Sequence, residues 1–281
     1  MFPLILTLSC EDRKGIVAAI SGFLAQHSCN ILESAQFLDV ASGRFFMRTV
    51  FHDQEAQGVD TLKASFDPVA QDFAMEWHLH DTARKANVLI MVSKLDHCLQ
   101  ELLYQQKCQV LPMQVLAIVS NHQLLKPLAD FYGIPYYYLP VTRQTKMEQE
   151  QAVYTLIKEL NIDLVVLARY MQILSDGLCA KLEGRIINIH HSFLPSFKGA
   201  RPYHQAQQRG VKIIGATAHY VTKDLDEGPI IEQETTRITH AHTPEAMIEE
   251  GKHLESVVLK RAVKYHLEHR VLLNGHKTII F

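Results

Sequence analysis

At 281 residues, with 47% hydrophobic and 21% charged side chains, the chain is long enough for two domains with real cores. A formal net charge of -2, with Lys and Arg scattered along the chain, gives no electrostatic case for a nucleic-acid partner. Five cysteines, an odd count without a CxxC pair, indicate reduced thiols in a cytoplasmic setting, and Cys10, Cys29, Cys98, Cys108 and Cys179 read as small buried apolar residues.

The amino terminus has no basic segment before its short apolar run, which Glu11-Asp12-Arg13 ends, so neither a signal peptide nor a membrane partner is expected. Residues 4–9 read as an apolar strand. Residues 14–27 form a helix with Ile16, Ile20, Phe23 and Leu24 on one face. Strands at 30–38 and 44–51 flank the turn Ala41-Ser42-Gly43. A second helix over 59–73 contains Pro68, expected to kink or divide it, and 75–79 supplies a last strand. This βαββαβ order predicts a ferredoxin-like α/β module.

A polar linker is placed at His80-Asp81-Thr82-Ala83-Arg84-Lys85-Ala86, dividing a domain over 1–83 from one over 84–281. Beyond it, apolar strands at 87–92, 114–120, 136–139, 163–168 and 186–190 alternate with helical patterns. Continuous apolar runs of that kind suit a doubly wound, mostly parallel sheet buried on both faces. Thr243-Pro244-Glu245 starts a long helix running to about residue 269, and 271–281 reads as a hairpin through Asn274-Gly275.

The most informative text is Asn188-Ile189-His190-His191-Ser192-Phe193-Leu194-Pro195, followed later by Leu225-Asp226-Glu227-Gly228-Pro229. On a strand, Asn188 and His190 share one face and Ile187 and Ile189 the other, so both polar groups emerge at the strand's carboxyl end. Ligands of such sheets bind there. Transfer of an acyl group needs donors aimed at a developing oxyanion and a base for the nucleophile, which Asn188, His190 and Asp226 could supply. Sixteen histidines invite a metal reading. However, His190 and His191 should face opposite ways, His240 and His242 sit in a loop, and no HExxH or Cys/His quartet appears, so no metal is expected.

The pattern Asn-Ile-His-x-Ser-x-Leu-Pro-x-Phe-x-Gly, then Gly-x-Thr-x-His-Tyr-Val, then Leu-Asp-x-Gly-Pro resembles the folate-dependent formyltransferase superfamily. The stretch from Gly199-Ala200-Arg201 through Gly215-Ala216-Thr217-Ala218-His219-Tyr220 narrows the resemblance to the branch that hydrolyses 10-formyltetrahydrofolate to tetrahydrofolate and formate. The resemblance implies a catalytic triad of Asn188, His190 and Asp226, with 10-formyltetrahydrofolate and water as partners and no separate cofactor. How His190 and Asp226 divide the acid and base duties stays open at this level.

The resemblance also places Ala168-Arg169-Tyr170-Met171-Gln172-Ile173-Leu174 along the pterin pocket. Arg169, Tyr170, Met171, Leu174, His191, Thr217 and His219 are therefore substrate-side candidates. An ordinary loop for the segment after residue 168, a rim position for His219 and a packing role for His191 are the competing readings. Val92-Ser93-Lys94-Leu95-Asp96-His97-Cys98-Leu99 lacks the glycines with which glycinamide ribonucleotide formyltransferases cradle a phosphate, which favours water as acceptor. Glycinamide ribonucleotide formyl transfer and a non-catalytic amino-acid or folate sensor remain alternatives. A methionyl-tRNA formyltransferase should show a basic RNA-binding region, which this chain lacks.

Glu11-Asp12-Arg13-Lys14-Gly15-Ile16-Val17 resembles the strand-to-helix loop of ACT domains, with Asp12 as a plausible helix cap. That resemblance implies Asp12, Arg13, Gly15, Ile16 and Asn30 as effector-binding candidates, methionine and glycine as effectors, and a homo-oligomer. A plain helix cap on a dimerisation platform is the alternative.

Overall fold

The structure is a computed structural model that describes residues 2–194 and 202–281. The motif residues Pro195 and Gly199-Ala200-Arg201 lie outside the described residues. The chain divides into two compact units, one of Met1–Lys85, His269–Asn274 and Ile279–Phe281, the other of Ala86–Glu268 and Gly275–Thr278. The carboxy-terminal hairpin, expected wholly in the second domain, is thus shared between them.

The first unit contains β1 (Leu4–Glu11), α1 (Ile16–Gln26), β2 (Cys29–Asp39), β3 (Arg44–Asp53), α2 (Val59–Asp72) and β4 (Glu76–Asp81). The strands form an antiparallel sheet in the order β2-β3-β1-β4, the expected ferredoxin-like arrangement. Ile16, Ile20, Phe23 and Leu24 of α1 pack with Leu62 and Phe66 of α2 against the inner face of the sheet. Phe66 stands edge-on to both Phe23, at 5.0 Å, and Trp77, at 4.8 Å.

Three local expectations are corrected here. Asp12 does not cap α1: the helix starts at Ile16 behind Gly15, whose φ of 98° is glycine territory, and the Asp12 amide is bonded to the Gly43 carbonyl. Pro68 does not divide α2, which runs unbroken from Val59 to Asp72. Pro68 and Ala64, whose carbonyl loses its helical partner, are both exposed, so water can satisfy that carbonyl. The linker is shorter than expected, because His80 and Asp81 pair with Ile5 and Leu4 on β1, and Ala86 already belongs to the next strand.

The second unit carries β5 (Ala86–Val92), α3 (His97–Lys107), β6 (Met113–Ser120), α4 (Lys126–Phe131), β7 (Tyr136–Tyr138), α5 (Lys146–Glu159), β8 (Leu164–Leu167), α6 (Asp176–Lys181) and β9 (Ile186–His190). It continues through α7 (Pro202–Gln208), β10 (Ile213–Tyr220), β11 (Ile230–Arg237) and α8 (Pro244–Leu267), and the hairpin strands β12 (Val271–Asn274) and β13 (Lys277–Ile280) end the chain. The seven-stranded sheet has the order β11-β10-β9-β8-β5-β6-β7. Strands β7 to β9 in that order are parallel, and β10 and β11 run antiparallel.

Strand order reverses about β5, from which the chain moves first to β6 and later, on the other side, to β8. The carboxyl ends of β5, β8 and β9 therefore surround the switch point of the sheet. The cysteine expectation is corrected at one position: Cys108 is exposed at the end of α3, while the other four are buried. All five are free thiols.

Phe66→Ala is expected to destabilise the first unit by about 3–5 kcal/mol, the usual cost of emptying a buried aromatic site. Urea unfolding followed by fluorescence of Trp77, the only tryptophan in the chain, will report it directly.

Candidate active site

Strand β9 places Ile187 and Ile189 in the core on one face and turns Asn188 and His190 to the other, as the alternation predicts. Its antiparallel neighbour β10 is in register so that His219 lies opposite Asn188 and Thr217 opposite His190. Directly paired residues of two strands share a face, so one sheet surface carries four polar side chains.

Asp226 comes from the loop between β10 and β11. That loop presses onto the end of β10: a side chain at Gly228 would place its Cβ 1.8 Å from the Tyr220 carbonyl oxygen. Only glycine permits the approach, and the Tyr220 amide then donates to the Pro229 carbonyl at 2.9 Å. Asp226 itself adopts φ 57°, a left-handed conformation that costs a non-glycine residue about 1–2 kcal/mol and aims its carboxylate back at the strands.

One Asp226 oxygen is 3.3 Å from His190 Nδ1 and the other 3.7 Å from His219 Nε2. Hydrogen bonding from His190 Nδ1 holds the carboxyl well below the usual carboxylate range and outweighs the opposing effect of burial. With Nδ1 directed at Asp226, His190 keeps Nε2, which is buried and has no hydrogen-bond partner among the described residues.

His219 is 2% exposed and donates from Nδ1 to the Tyr220 carbonyl at 2.8 Å. In the neutral ring Nε2 is then the acceptor, and the Asn188 amide nitrogen lies 3.2 Å from it. His219 thus orients Asn188 while leaving one of its amide hydrogens for a ligand.

The expectation that His190 and His191 face opposite ways is corrected. Strand β9 stops at His190, so alternation ends, and the two rings stack at 4.7 Å with both lining the same cleft. Burial first, then the neighbouring Arg169 guanidinium and His190, pushes the His191 imidazole down to about 4.

The cleft has a volume of about 220 Å³. Arg169, Tyr170, Met171 and Leu174 all line it, together with Asn188, His190, His219 and Asp226. Its wall segment is anchored by residues that sequence reasoning missed. Ser93 Oγ accepts from the Met171 amide, Gln149 donates to the Tyr170 hydroxyl at 3.0 Å, and buried Glu150 accepts from the Ser175 amide and hydroxyl. Burial pushes the Tyr170 phenol up to about 12, so it stays neutral. A signal for Glu150 existed: it lies three positions before Val153 and seven before Ile157, on the apolar stripe of α5.

Thr217 is not part of the cleft lining. Its hydroxyl donates to the Ser192 carbonyl at 2.9 Å and accepts from the Leu194 amide at 3.1 Å, clamping the segment after β9. In the first unit, Ile16 belongs to the core, Arg13 is engaged by Asp72 and the Phe73 ring, and Asn30 lies exposed on β2.

An amide donor, an imidazole and an ionised carboxylate at the switch point of a doubly wound sheet define an enzyme of acyl-group chemistry. A formyl transferase family model matches residues 86–263, and an ACT domain model matches residues 4–67. The formyltetrahydrofolate deformylase of Corynebacterium sp. (strain P-1) is 47% identical over 277 residues, spanning 98% of this chain and 97% of that protein. The crystal structure of a formyltetrahydrofolate deformylase from Burkholderia mallei ATCC 23344 superimposes with a TM-score of 0.96 at 50% identity, covering all of both chains. A glycinamide ribonucleotide transformylase from Symbiobacterium toebii reaches a TM-score of 0.65 at 26% identity, over 70% of this chain and 94% of that one. The chain belongs to the formyltetrahydrofolate deformylase family.

His191 makes a pH prediction with a definite sign. Its folded value of about 4 lies below the 6.5 of a free histidine, so the unfolded chain takes up a proton that the folded chain refuses. Stability is full above about pH 6.5 and falls as pH drops toward 4, by up to about 3 kcal/mol from this group. His191→Gln is expected to flatten that slope in urea titrations at a series of pH values.

Proposed function

We propose that this protein hydrolyses 10-formyltetrahydrofolate to tetrahydrofolate and formate, with Asn188, His190 and Asp226 as its catalytic residues. The observation that carries the reading is the contact of one carboxylate with two imidazoles beside an oriented amide in the lining of the cleft. The Asn188 amide hydrogen left over from His219 donates to the formyl oxygen, more strongly as charge develops there. Protonated His190, held at Nδ1 by Asp226, offers Nε2–H as the second donor.

Water attacks the formyl carbon and its proton passes to Asp226, whose ionised state is secured by the hydrogen bond from His190. His190 then delivers its Nε2 proton to N10 as the carbon–nitrogen bond breaks. This releases the amine and formic acid, which gives up its proton to solvent. Asp226 then gives up its proton to solvent and His190 Nε2 takes one up, which restores both groups. The formyl group arrives on the substrate, so the reaction as written requires no further cofactor.

Water as acceptor is supported by the loop after β5. It lacks glycine, Ser93 directs its hydroxyl to Asn121 and accepts from Met171, and His97 at the start of α3 is bonded to Glu255. Arg169, Tyr170, Met171 and Leu174 form the wall against the pterin, and His191 lines the same cleft. His219 and Thr217 act through their neighbours, by orienting Asn188 and by clamping the loop after β9.

The ACT domain at residues 4–67 supports regulation by an amino acid, for which we propose methionine or glycine at the loop of Asp12, Arg13, Gly15 and Ile16, with Asn30 nearby on β2. Strand β2 is an edge of its sheet and exposes Ile31, Leu32, Phe37 and Leu38, which supports a homo-oligomer formed through that edge. An odd number of free thiols fits a reducing compartment, and we place the protein in the cytoplasm.

Purified protein is expected to release formate from 10-formyltetrahydrofolate without any amine acceptor. Asn188→Ala should lower turnover by about two to three orders of magnitude, and Asp226→Asn at least as much. Formyl transfer that appears only once glycinamide ribonucleotide is added would overturn the choice of water. For the amino-terminal module, methionine or glycine is expected to bind in calorimetry and to change the formate-release rate; unchanged rates with no binding heat would remove the effector assignment.

A further inference from the structure

Glu255 lies in the middle of α8, on the stripe formed by Met247, Gly251, Leu254, Val258 and Ala262, and is 2% exposed. A carboxylate inside an apolar stripe requires compensation. One oxygen lies 2.6 Å from His97 Nε2 and 3.4 Å from Arg169 Nε. The other is 3.5 Å from the Tyr203 hydroxyl, which is also 3.2 Å from the His191 carbonyl oxygen. Both are acceptors for the single hydroxyl proton, and the shorter contact is to the carbonyl.

Three of the residues joined in this way lie beyond the carboxyl ends of three different strands. His97 follows β5, Arg169 follows β8, and His191 follows β9, and those strands are consecutive neighbours in the sheet. One side chain therefore ties together the carboxyl-end segments that surround the switch point. Arg169 and His191 line the cleft; Glu255, His97 and Tyr203 do not. Arg169 also holds φ 64°, a conformation that its contacts must maintain.

A second observation points the same way. Gly251 sits one turn before Glu255, in the interior of a 24-residue helix, where glycine is about 1 kcal/mol worse than alanine. A Cβ there would lie 1.9 Å from the Tyr203 hydroxyl oxygen. The glycine makes room for the hydroxyl that joins Glu255 to the His191 carbonyl. Donor atoms of His97, Cys98 and Glu255 lie within 4.8 Å of one another, but the Arg169 guanidinium already supplies the cluster with a cation.

We propose that Glu255 is a positioning residue for the hydrolysis, setting the places of Arg169 directly and of the His190-His191 segment through Tyr203, in the space that Gly251 leaves. This rests on the hydrolytic reading of the site. A displacement of about 1 Å in a catalytic group can cost about two orders of magnitude in rate, so loss of the tie should appear in turnover. Tyr203→Phe removes only the arm to His191 and leaves Arg169 paired. Glu255→Gln keeps the shape and removes the charge from both arms.

The test compares kcat and KM for formate release in wild type, Tyr203→Phe, Glu255→Gln and Gly251→Ala, each checked for native circular dichroism and melting. Tyr203→Phe is expected to lower kcat about tenfold with KM nearly unchanged, and Gly251→Ala to do the same by displacing the hydroxyl. Glu255→Gln is expected to lower kcat about 10- to 100-fold and to raise KM, because Arg169 loses its partner on the cleft wall. Turnover within twofold of wild type in folded Tyr203→Phe and Glu255→Gln would overturn the proposal. Imidazole resonances of His190 and His191 provide a readout independent of activity. They should move in Tyr203→Phe while those of His240 and His242 stay, and unmoved resonances would overturn the tie even if wild type released no formate.

Discussion

Asp226 stands between two imidazoles, and the rest of the site is arranged around the requirement that its carboxylate face both. His190 reaches it from the last position of β9, and His219 from its place opposite Asn188 on β10. The antiparallel register decides this geometry. A slip of one residue would turn His219 and Thr217 to the opposite face, and a longer loop at Gly228 would carry Asp226 away from the strand end. The left-handed backbone at Asp226 is held against its cost by the two contacts that the carboxylate makes.

The sheet changes character at the same place. From β7 to β9 it is parallel, and its central strands β5 and β8 are buried on both faces, which leaves the carboxyl ends open for a ligand. At β10 the direction reverses, so the chain runs back along β9 with Thr217 opposite His190 and His219 opposite Asn188, and the loop that follows Tyr220 brings the Asp226 carboxylate to the two imidazoles. The reversal is what lets residues far apart in sequence share one oxyanion site.

The cleft wall shows how a polar interior supports an apolar binding surface. Tyr170, Met171 and Leu174 present ring and aliphatic surface to the cleft. Behind them Ser93, Gln149 and Glu150 supply the hydrogen bonds that the loop backbone and the buried phenol need. His191 is the opposite case. Attraction from Glu255 and Asp226 favours its charged form, yet burial and the cations beside it prevail, and it serves as a neutral surface stacked on His190.

The sequence by itself determined the two-domain α/β order, the five parallel strands and the emergence of Asn188 and His190 on one face. Each is set by local periodicity: spacing of apolar residues along a strand or helix is a property of neighbouring positions. Glycine and proline marked the turns for the same reason, although Pro68 was misleading because its missing hydrogen bond falls on the exposed side of α2. Tertiary structure alone decided which distant groups meet. Glu255 reads as a charge interrupting an apolar helix stripe, and nothing near it names His97, Arg169 or Tyr203 as its partners. Thr217 and His191 likewise carried no local sign of a clamp or of stacking, since those roles arise from strand register and from where β9 stops. A buried polar side chain acquires its role from the groups that replace its water, and those groups are chosen by the fold.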